Sequence, residues 1–298
     1  MAKKILFQKE KKERLDKFLV EELNNLSRNQ IQKLIKEGKI TVNKKTVPVH
    51  YFLKKDEVIE IEEVKEFKKK KTVIKIPIIF ENNDYFVINK PVGLAVEGNP
   101  KEYCLIDWLK EKNLTKTKDE EFNLRAGLIH RLDKDVSGVM LIAKNPTFFH
   151  HLKEQFKKHI VKKIYLALVY GVIERDEGQL NFLMARGEDG KMVARPLSQE
   201  GKRALTQFKV IKRFKNYTFV EVKILTGRTH QIRVHFFAYS HPVIGDKLYT
   251  QKRIKSPIGL KRLFLHSQIL GFYDLNNNWQ EYKIDLPKEL KEILKKLK

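Results

Sequence analysis

Cysteine is nearly absent from this sequence: Cys104 is the only one in 298 residues. That excludes an intramolecular disulfide framework and any zinc or iron–sulfur centre built on cysteine, and it makes Cys104 a small buried apolar residue by expectation. Long apolar runs are missing as well. No stretch reaches the roughly 18 residues of a membrane span, and Met1 to Lys12 lack the apolar core of a signal peptide, so a cytoplasmic protein without a membrane partner is expected. Neither a G-x-G-x-x-G fingerprint nor a P-loop is present, which disfavours a doubly wound nucleotide-binding fold. Acidic residues are scarce relative to basic ones, 37 against 61, leaving a formal net charge of +24. An excess of that size attracts polyanions. It is spread along the chain, +9 over residues 1–75 and +15 over 76–298. Spread charge suits an extended phosphate backbone better than the single amphipathic helix of a membrane-surface protein, although a merely solubilising lysine-rich surface has the same composition.

What is present divides into two parts. Leu15, Phe18, Leu19 and Leu23 fall at helical spacing, and Ser27 is placed to cap a second helix with Ile31, Leu34 and Ile35 on one face and Gly38 beyond its end. Arg28, Gln32 and Lys36 recur every fourth residue beside that stripe, with Asn29 and Lys33 adjacent, and form a basic ridge. Short β-like runs at 39–42 and 58–61 complete a small α+β unit over residues 13–62. Residues 63–72 are charged and aperiodic and read as a basic linker. From 73 to 298, β-like segments at 74–80, 85–89, 128–129, 139–143, 164–170, 205–211 and 218–225 mix with helical stretches at 105–111 and 147–159. That order gives an α+β fold with a mixed, mainly antiparallel sheet.

Three polar clusters interrupt core-like segments of the larger part. His130-Arg131-Leu132-Asp133 is set between the apolar runs 127–129 and 139–143, where a carboxylate is held as rigidly as a nucleophile or general base must be. A polar turn satisfied by local N–H groups is the plainer alternative. Thr226-Gly227-Arg228-Thr229-His230-Gln231-Ile232-Arg233-Val234-His235 packs two arginines and two histidines together at the end of a β-like segment. Such a crowd needs an anion or a buried carboxylate, and Asp133 is a candidate. The spacing of His230 and His235 fits no standard helical metal-ligand pair, so no metal is expected. In Lys163-Ile164-Tyr165-Leu166-Ala167-Leu168, Tyr165 faces away from Ile164 and Leu166, as a core tyrosine or one that stacks on a nucleobase.

Residues 13–62 resemble the S4 RNA-binding domain through Arg14-Leu15-Asp16, Leu26-Ser27-Arg28-Asn29-Gln30-Ile31, 36–43 and 58–61, departing at Lys44 and Lys55, where turn glycines are common. The remainder resembles the RluA-type pseudouridine synthases through Asn89-Lys90-Pro91-Val92-Gly93, His130-Arg131-Leu132-Asp133 with Ser137-Gly138, 163–168, 227–235, His241-Pro242, 245–249 and Leu265-His266. Val136 departs from the threonine frequent there. The resemblance implies an S4-like domain followed by a pseudouridine synthase catalytic domain. Its implied activity is isomerisation of specific uridines in RNA, with large-subunit ribosomal RNA favoured by the domain arrangement and transfer RNA as an alternative. Asp133 maps to the nucleophile, which bonds to the uracil ring or to the ribose. Arg233 maps to its basic partner, and Tyr165 to the tyrosine that stacks on uracil and is a candidate to take the C5 proton. Arg131 maps to the residue that fills the gap left by the extruded base, with His130, Arg228, His230, Gln231 and Leu265 lining the substrate site. Arg14, Arg28, Asn29, Lys33 and Lys36 would contact RNA. The implied reaction needs no cofactor, nucleotide or metal, and a monomer is expected. The competing readings are an inactive RNA-binding or ribosome-assembly factor and a nuclease, which would call for clustered carboxylates on a divalent metal.

Overall fold

The computed structural model describes residues 3–23, 26, 28–62, 74–98, 102–112, 117–251, 254, 256–257 and 259–298. Ser27, the 63–72 segment and the side chain of Asn29 lie outside the described residues. The chain divides into two compact units, one of residues 1–72 with 99–103 and one of 73–98 with 104–298.

In the smaller unit β1 (Lys3–Leu6) pairs antiparallel with β5 (Val58–Ile61), which pairs with β3 (Ile40–Val42); β2 (Glu13–Arg14) pairs with β4 (Phe52–Leu53). Helices α1 (Leu15–Glu22) and α2 (Arg28–Lys36) turn Leu15, Phe18, Leu19, Ile31, Leu34 and Ile35 into one core with Ile40 and Ile59. Strand β1, upstream of residue 13, joins the same sheet. At the turn lacking a glycine, Asn43 and Lys44 both take left-handed backbone, φ 50° and 62°. They close the hairpin through paired bonds between Val42 and Lys45 of 3.0 and 2.9 Å.

The larger unit runs β6 (Ile78–Glu81), β7 (Tyr85–Lys90), α3 (Leu105–Glu111), α4 (Glu120–Arg125), β8 (Ser137–Ala143), α5 (Pro146–Lys157), β9 (Lys162–Tyr170), β10 (Glu177–Arg186), β11 (Met192–Arg195), β12 (Lys202–Phe214), β13 (Tyr217–Ile224), α6 (Gln231–Ala238), β14 (Leu265–Tyr273), β15 (Trp279–Lys283) and α7 (Lys288–Lys296). One sheet takes the order β11-β10-β12-β13-β9-β14-β8-β7-β6, with β15 on β14. Every pairing is antiparallel except β8 with β14. That contact is only two residues long, His266 to Ser137 and Ser267 to Gly138. Gly138, at φ 121°, makes it possible: a Cβ there would stand 2.1 Å from the Ser267 carbonyl oxygen. Cys104 is buried at the start of α3, its thiol donating to Asp107.

Three segments differ from the sequence expectation. The 74–80 run becomes a strand only from Ile78, and 128–129 reduces to a single bridge between Leu128 and Ile142. The 226–235 cluster follows β13 as expected, but its second half is helical: His230 takes left-handed backbone, φ 57°, and α6 starts at Gln231. Among the described residues no helix is long and apolar enough to cross a membrane.

Candidate active site

The strand β8 is buried along its whole length, so the polar loop that precedes it is anchored at one end. Its other support is unexpected. Lys90, fully buried at the end of β7, donates to the carbonyls of Pro91 (2.9 Å), Leu94 (2.7 Å) and Lys134 (3.3 Å). Burial pulls its ammonium down to about 7. The Gly93 N–H also donates to the Lys134 carbonyl (2.8 Å), and the Val136 N–H to the Asp133 carbonyl (3.1 Å). The Lys134 carbonyl, gripped by Lys90 and the Gly93 N–H, thereby ties the Asp133 loop to the segment after β7.

Facing it, Arg233 projects from the first turn of α6. Its Nη1 donates to Asp133 Oδ2 at 3.0 Å. The stronger grip comes from Asp246, whose fully buried carboxylate receives Arg233 Nε at 2.7 Å and Nη2 at 2.9 Å. Asp246 is fixed in turn by the backbone N–H groups of Leu248 (2.8 Å) and Tyr249 (3.0 Å). Burial works against the guanidinium charge, but the hydrogen bonds and charge of Asp246, aided by Asp133, hold its pKa above the ordinary arginine value. The Tyr249 ring lies under the guanidinium at 5.1 Å, and its hydroxyl meets His230 Nδ1 at 2.9 Å. Sequence reading assigned no role to Asp246, Tyr249 or Lys90; Asp246 and Tyr249 stand in the matched stretch 245–249, and Lys90 is a lysine closing an otherwise apolar strand.

The crowding of positive charge resolves because both histidines stay neutral. Burial lowers the His230 pKa, with Asp133 opposing and Arg233 adding to the effect, and His230 Nε2 lies 3.9 Å from Asp133. His235 is wholly buried against Phe182, and burial brings it to about 4. The two face different surroundings, and among the described residues no three metal-ligating side chains gather.

Asp133, Arg233, Tyr165, Arg131, His130, Arg228, His230 and Leu265 line one cleft of about 570 Å³. Tyr165 is 7% exposed and shares a hydrogen bond with the Ser267 hydroxyl; burial, with the Asp133 charge, raises its pKa and keeps the phenol protonated. Leu265 supplies apolar lining from the first residue of β14. Arg131 is half-exposed and paired with Glu97 at 2.8 Å. Arg228 reaches the Arg203 carbonyl at 3.3 Å. His130 stacks on Phe156, 5.1 Å and 22° between planes, and its Nε2 accepts the Leu141 N–H at 3.0 Å. Burial, with Lys163, brings it to about 3, so it is a neutral wall.

Gln231 lines the same cleft, with its carboxamide engaged by the protein. Its carboxamide oxygen accepts from Thr226 Oγ1 (2.8 Å) and the Arg228 N–H (3.0 Å), and its nitrogen donates to the Leu205 carbonyl (3.0 Å) and Thr206 Oγ1 (3.0 Å). All four of its bonds are taken, so it pins the loop before α6 to β12 and has none left for a base.

In the smaller unit the basic residues divide. Arg14 and Arg28 converge on Asp16, whose side chain is fully buried and receives Arg14 Nε (3.0 Å) and Nη2 (2.9 Å), Arg28 Nε (2.9 Å) and Gln32 Nε2 (2.6 Å). Lys33 and Lys36 are exposed on the ridge. Burial disfavours the Asp16 charge, but Arg14, Gln32 and Arg28 outweigh it and lower the pKa. A lowered folded pKa stabilises above the unfolded value, near 4 for aspartate, and the benefit is lost as pH falls through the folded one. Asp16→Ala is expected to destabilise this unit by about 3 kcal/mol at neutral pH and to shrink its loss of stability in acid, measured by thermal melts from pH 7 to 3; identical melts at both pH values would contradict the network's role.

The profile of the RNA pseudouridylate synthase family matches residues 84–238, and that of the S4 domain residues 13–59. An uncharacterized RNA pseudouridine synthase of Aquifex aeolicus (strain VF5) is 38% identical over 94% of this chain and 92% of its own length. The ribosomal large subunit pseudouridine synthase C of Vibrio parahaemolyticus is 31% identical over 95% and 92%. Among solved structures, human RNA pseudouridylate synthase domain containing 4 superposes with a TM-score of 0.58 at 27% identity, covering 74% of this chain and 93% of that one.

Proposed function

The chain belongs to the RNA pseudouridylate synthase family, and from that premise we propose that it converts uridines of large-subunit ribosomal RNA to pseudouridine with Asp133 as nucleophile. The observation that carries this is the single cleft in which the Asp133 carboxylate, held by Arg233 at 3.0 Å, shares walls with Tyr165 and Arg131. In the isomerisation the N1–C1′ bond breaks, the uracil turns, C5 bonds to C1′, and the C5 proton leaves as N1 gains one. Asp133 supplies the covalent tether, and the Arg233 fork keeps it ionised and aimed. Tyr165, a protonated phenol on a buried strand, supports stacking on the extruded uracil. Arg131 would leave Glu97 to occupy the vacated place in the RNA stack, offsetting part of an extrusion cost of a few kcal/mol.

Ribosomal RNA is favoured by the name of the Vibrio relative and by the S4 unit, whose ridge would hold the phosphate backbone. Tritium release from large-subunit ribosomal RNA labelled at uracil C5 tests the reaction, and pseudouridine mapping in a strain lacking the gene tests the target; unchanged maps of that RNA would refute it. For the ridge, Lys33→Gln with Lys36→Gln is expected to weaken RNA binding several-fold at about 0.1 M salt. Filter-binding titrations should show the salt slope shallower by about 0.7 per lost contact; an unaltered slope would remove both lysines from the interface.

A further inference from the structure

One group in the cleft has no assigned work. Lys163 lies on β9 two residues before Tyr165, so the two side chains leave the same face of the strand about 7 Å apart. It lines the same cleft and is 6% exposed, yet its ammonium meets no carboxylate, carbonyl or hydroxyl among the described residues. It lies over the face of Phe156, 5.5 Å from the ring centre, and near enough to the neutral His130 to act on it. The side chain is largely buried with its ammonium unpaired in the cleft, and burial brings it to about 8. Among the described residues lining the cleft the only carboxylate is Asp133, and Arg233 holds that one. Lys157 and Arg228 line the cleft as well, so its cations outnumber its anions.

We propose that Lys163 is the receptor for an RNA phosphate flanking the extruded uridine, anchoring the nucleotide's backbone while its base lies on Tyr165. This rests on the synthase reading of the cleft. The chemistry selects a phosphodiester because the lysine lacks a full negative charge, which the neutral carbonyls of uracil do not supply. A single nucleotide, base to phosphate, bridges the separation between Tyr165 and Lys163, so one residue would grip the base and the other the backbone. Phe156 then serves as a flat apolar support that keeps the ammonium from turning back to solvent.

The test uses the full-length protein and transcribed large-subunit ribosomal RNA labelled with tritium at uracil C5. Lys163→Met keeps the packing on Phe156 and removes the charge. It is expected to raise KM and the filter-binding Kd about 10- to 100-fold, leave kcat within about threefold, and make the salt slope shallower by about 0.7. Lys163→Arg should restore most of the affinity. An unchanged Kd and slope with a lowered kcat would overturn the proposal by placing the amine in the chemical step. Equal losses in Lys163→Met and Lys163→Arg with a lowered Tm would overturn it by reducing the lysine to packing. Affinity and slope are read without turnover, so a wild-type chain that releases no tritium would count against the proposed chemistry while the lysine's own test still stands.

Discussion

Asp133→Asn is expected to fold, bind RNA with near wild-type affinity, and release tritium from C5-labelled uridine at least about 10⁴-fold more slowly than the wild type. The expectation follows from what the substitution keeps and removes. An asparagine oxygen still accepts from Arg233 Nη1, now 3.0 Å from the carboxylate, and Arg233 stays neutralised by Asp246. The loop remains tied to Lys90 through the Lys134 carbonyl. What disappears is the proposed nucleophile, and the loss of an attacking group commonly costs about four to six orders of magnitude. Tritium release and RNA filter binding, run together, separate the two effects. Full release by the variant would end the assignment of Asp133.

The second large effect lies one residue further from the chemistry. Asp246→Asn strips the buried Arg233 of the partner that holds two of its donors, at 2.7 and 2.9 Å. Breaking a buried ion pair from one side costs about 3–5 kcal/mol, since the remaining charge stays in the interior. Arg233 would keep Asp133 alone and be drawn towards it, so Asp133 loses its aim as well. A Tm lowered by several degrees and a kcat reduced at least about 100-fold are expected, read by thermal denaturation and by tritium release. Wild-type turnover in this variant would show that Asp133 is positioned by other means. In combination with Asp133→Asn the kinetic losses should not multiply, because both act through one charged unit.

The members of this arrangement differ in how far the sequence discloses them. The two helices of the smaller unit were legible because Leu15, Phe18 and Leu19, then Ile31, Leu34 and Ile35, repeat at helical spacing with few competing signals. Strand β9 was legible as an apolar run. Strands β10 and β11 were not: their side chains are mostly half-exposed, so alternation is blurred, and pairing with β12 rather than local preference makes them strands. Helix α6 was hidden by the β-branched Thr229, Ile232 and Val234 and by the left-handed turn at His230, a backbone choice that no side-chain pattern announces. In the cleft, Asp133 and Arg233 stood out as charged residues interrupting apolar segments. Asp246 did not, since an aspartate after Gly245 reads as an ordinary turn residue until its two bonds to Arg233 are seen. Gln231 shows the converse: its place in a polar motif says nothing of the four protein bonds by which it also fastens the loop to β12.

Asp133 and Arg233 are 100 residues apart in the chain. Closing a loop of that length costs about 4 kcal/mol in its logarithmic part alone, more than one partly exposed ion pair returns. The pair is thus a product of folding and not a cause of it. The β7–β8 and β9–β13 pairings draw the two segments together, with strands such as β8 and β14 that are distant in sequence. A nascent or partly melted chain can therefore possess every catalytic side chain and no enzyme. Catalytic competence in this molecule is a late, collective property of the sheet, arriving only when its most distant pairings have closed.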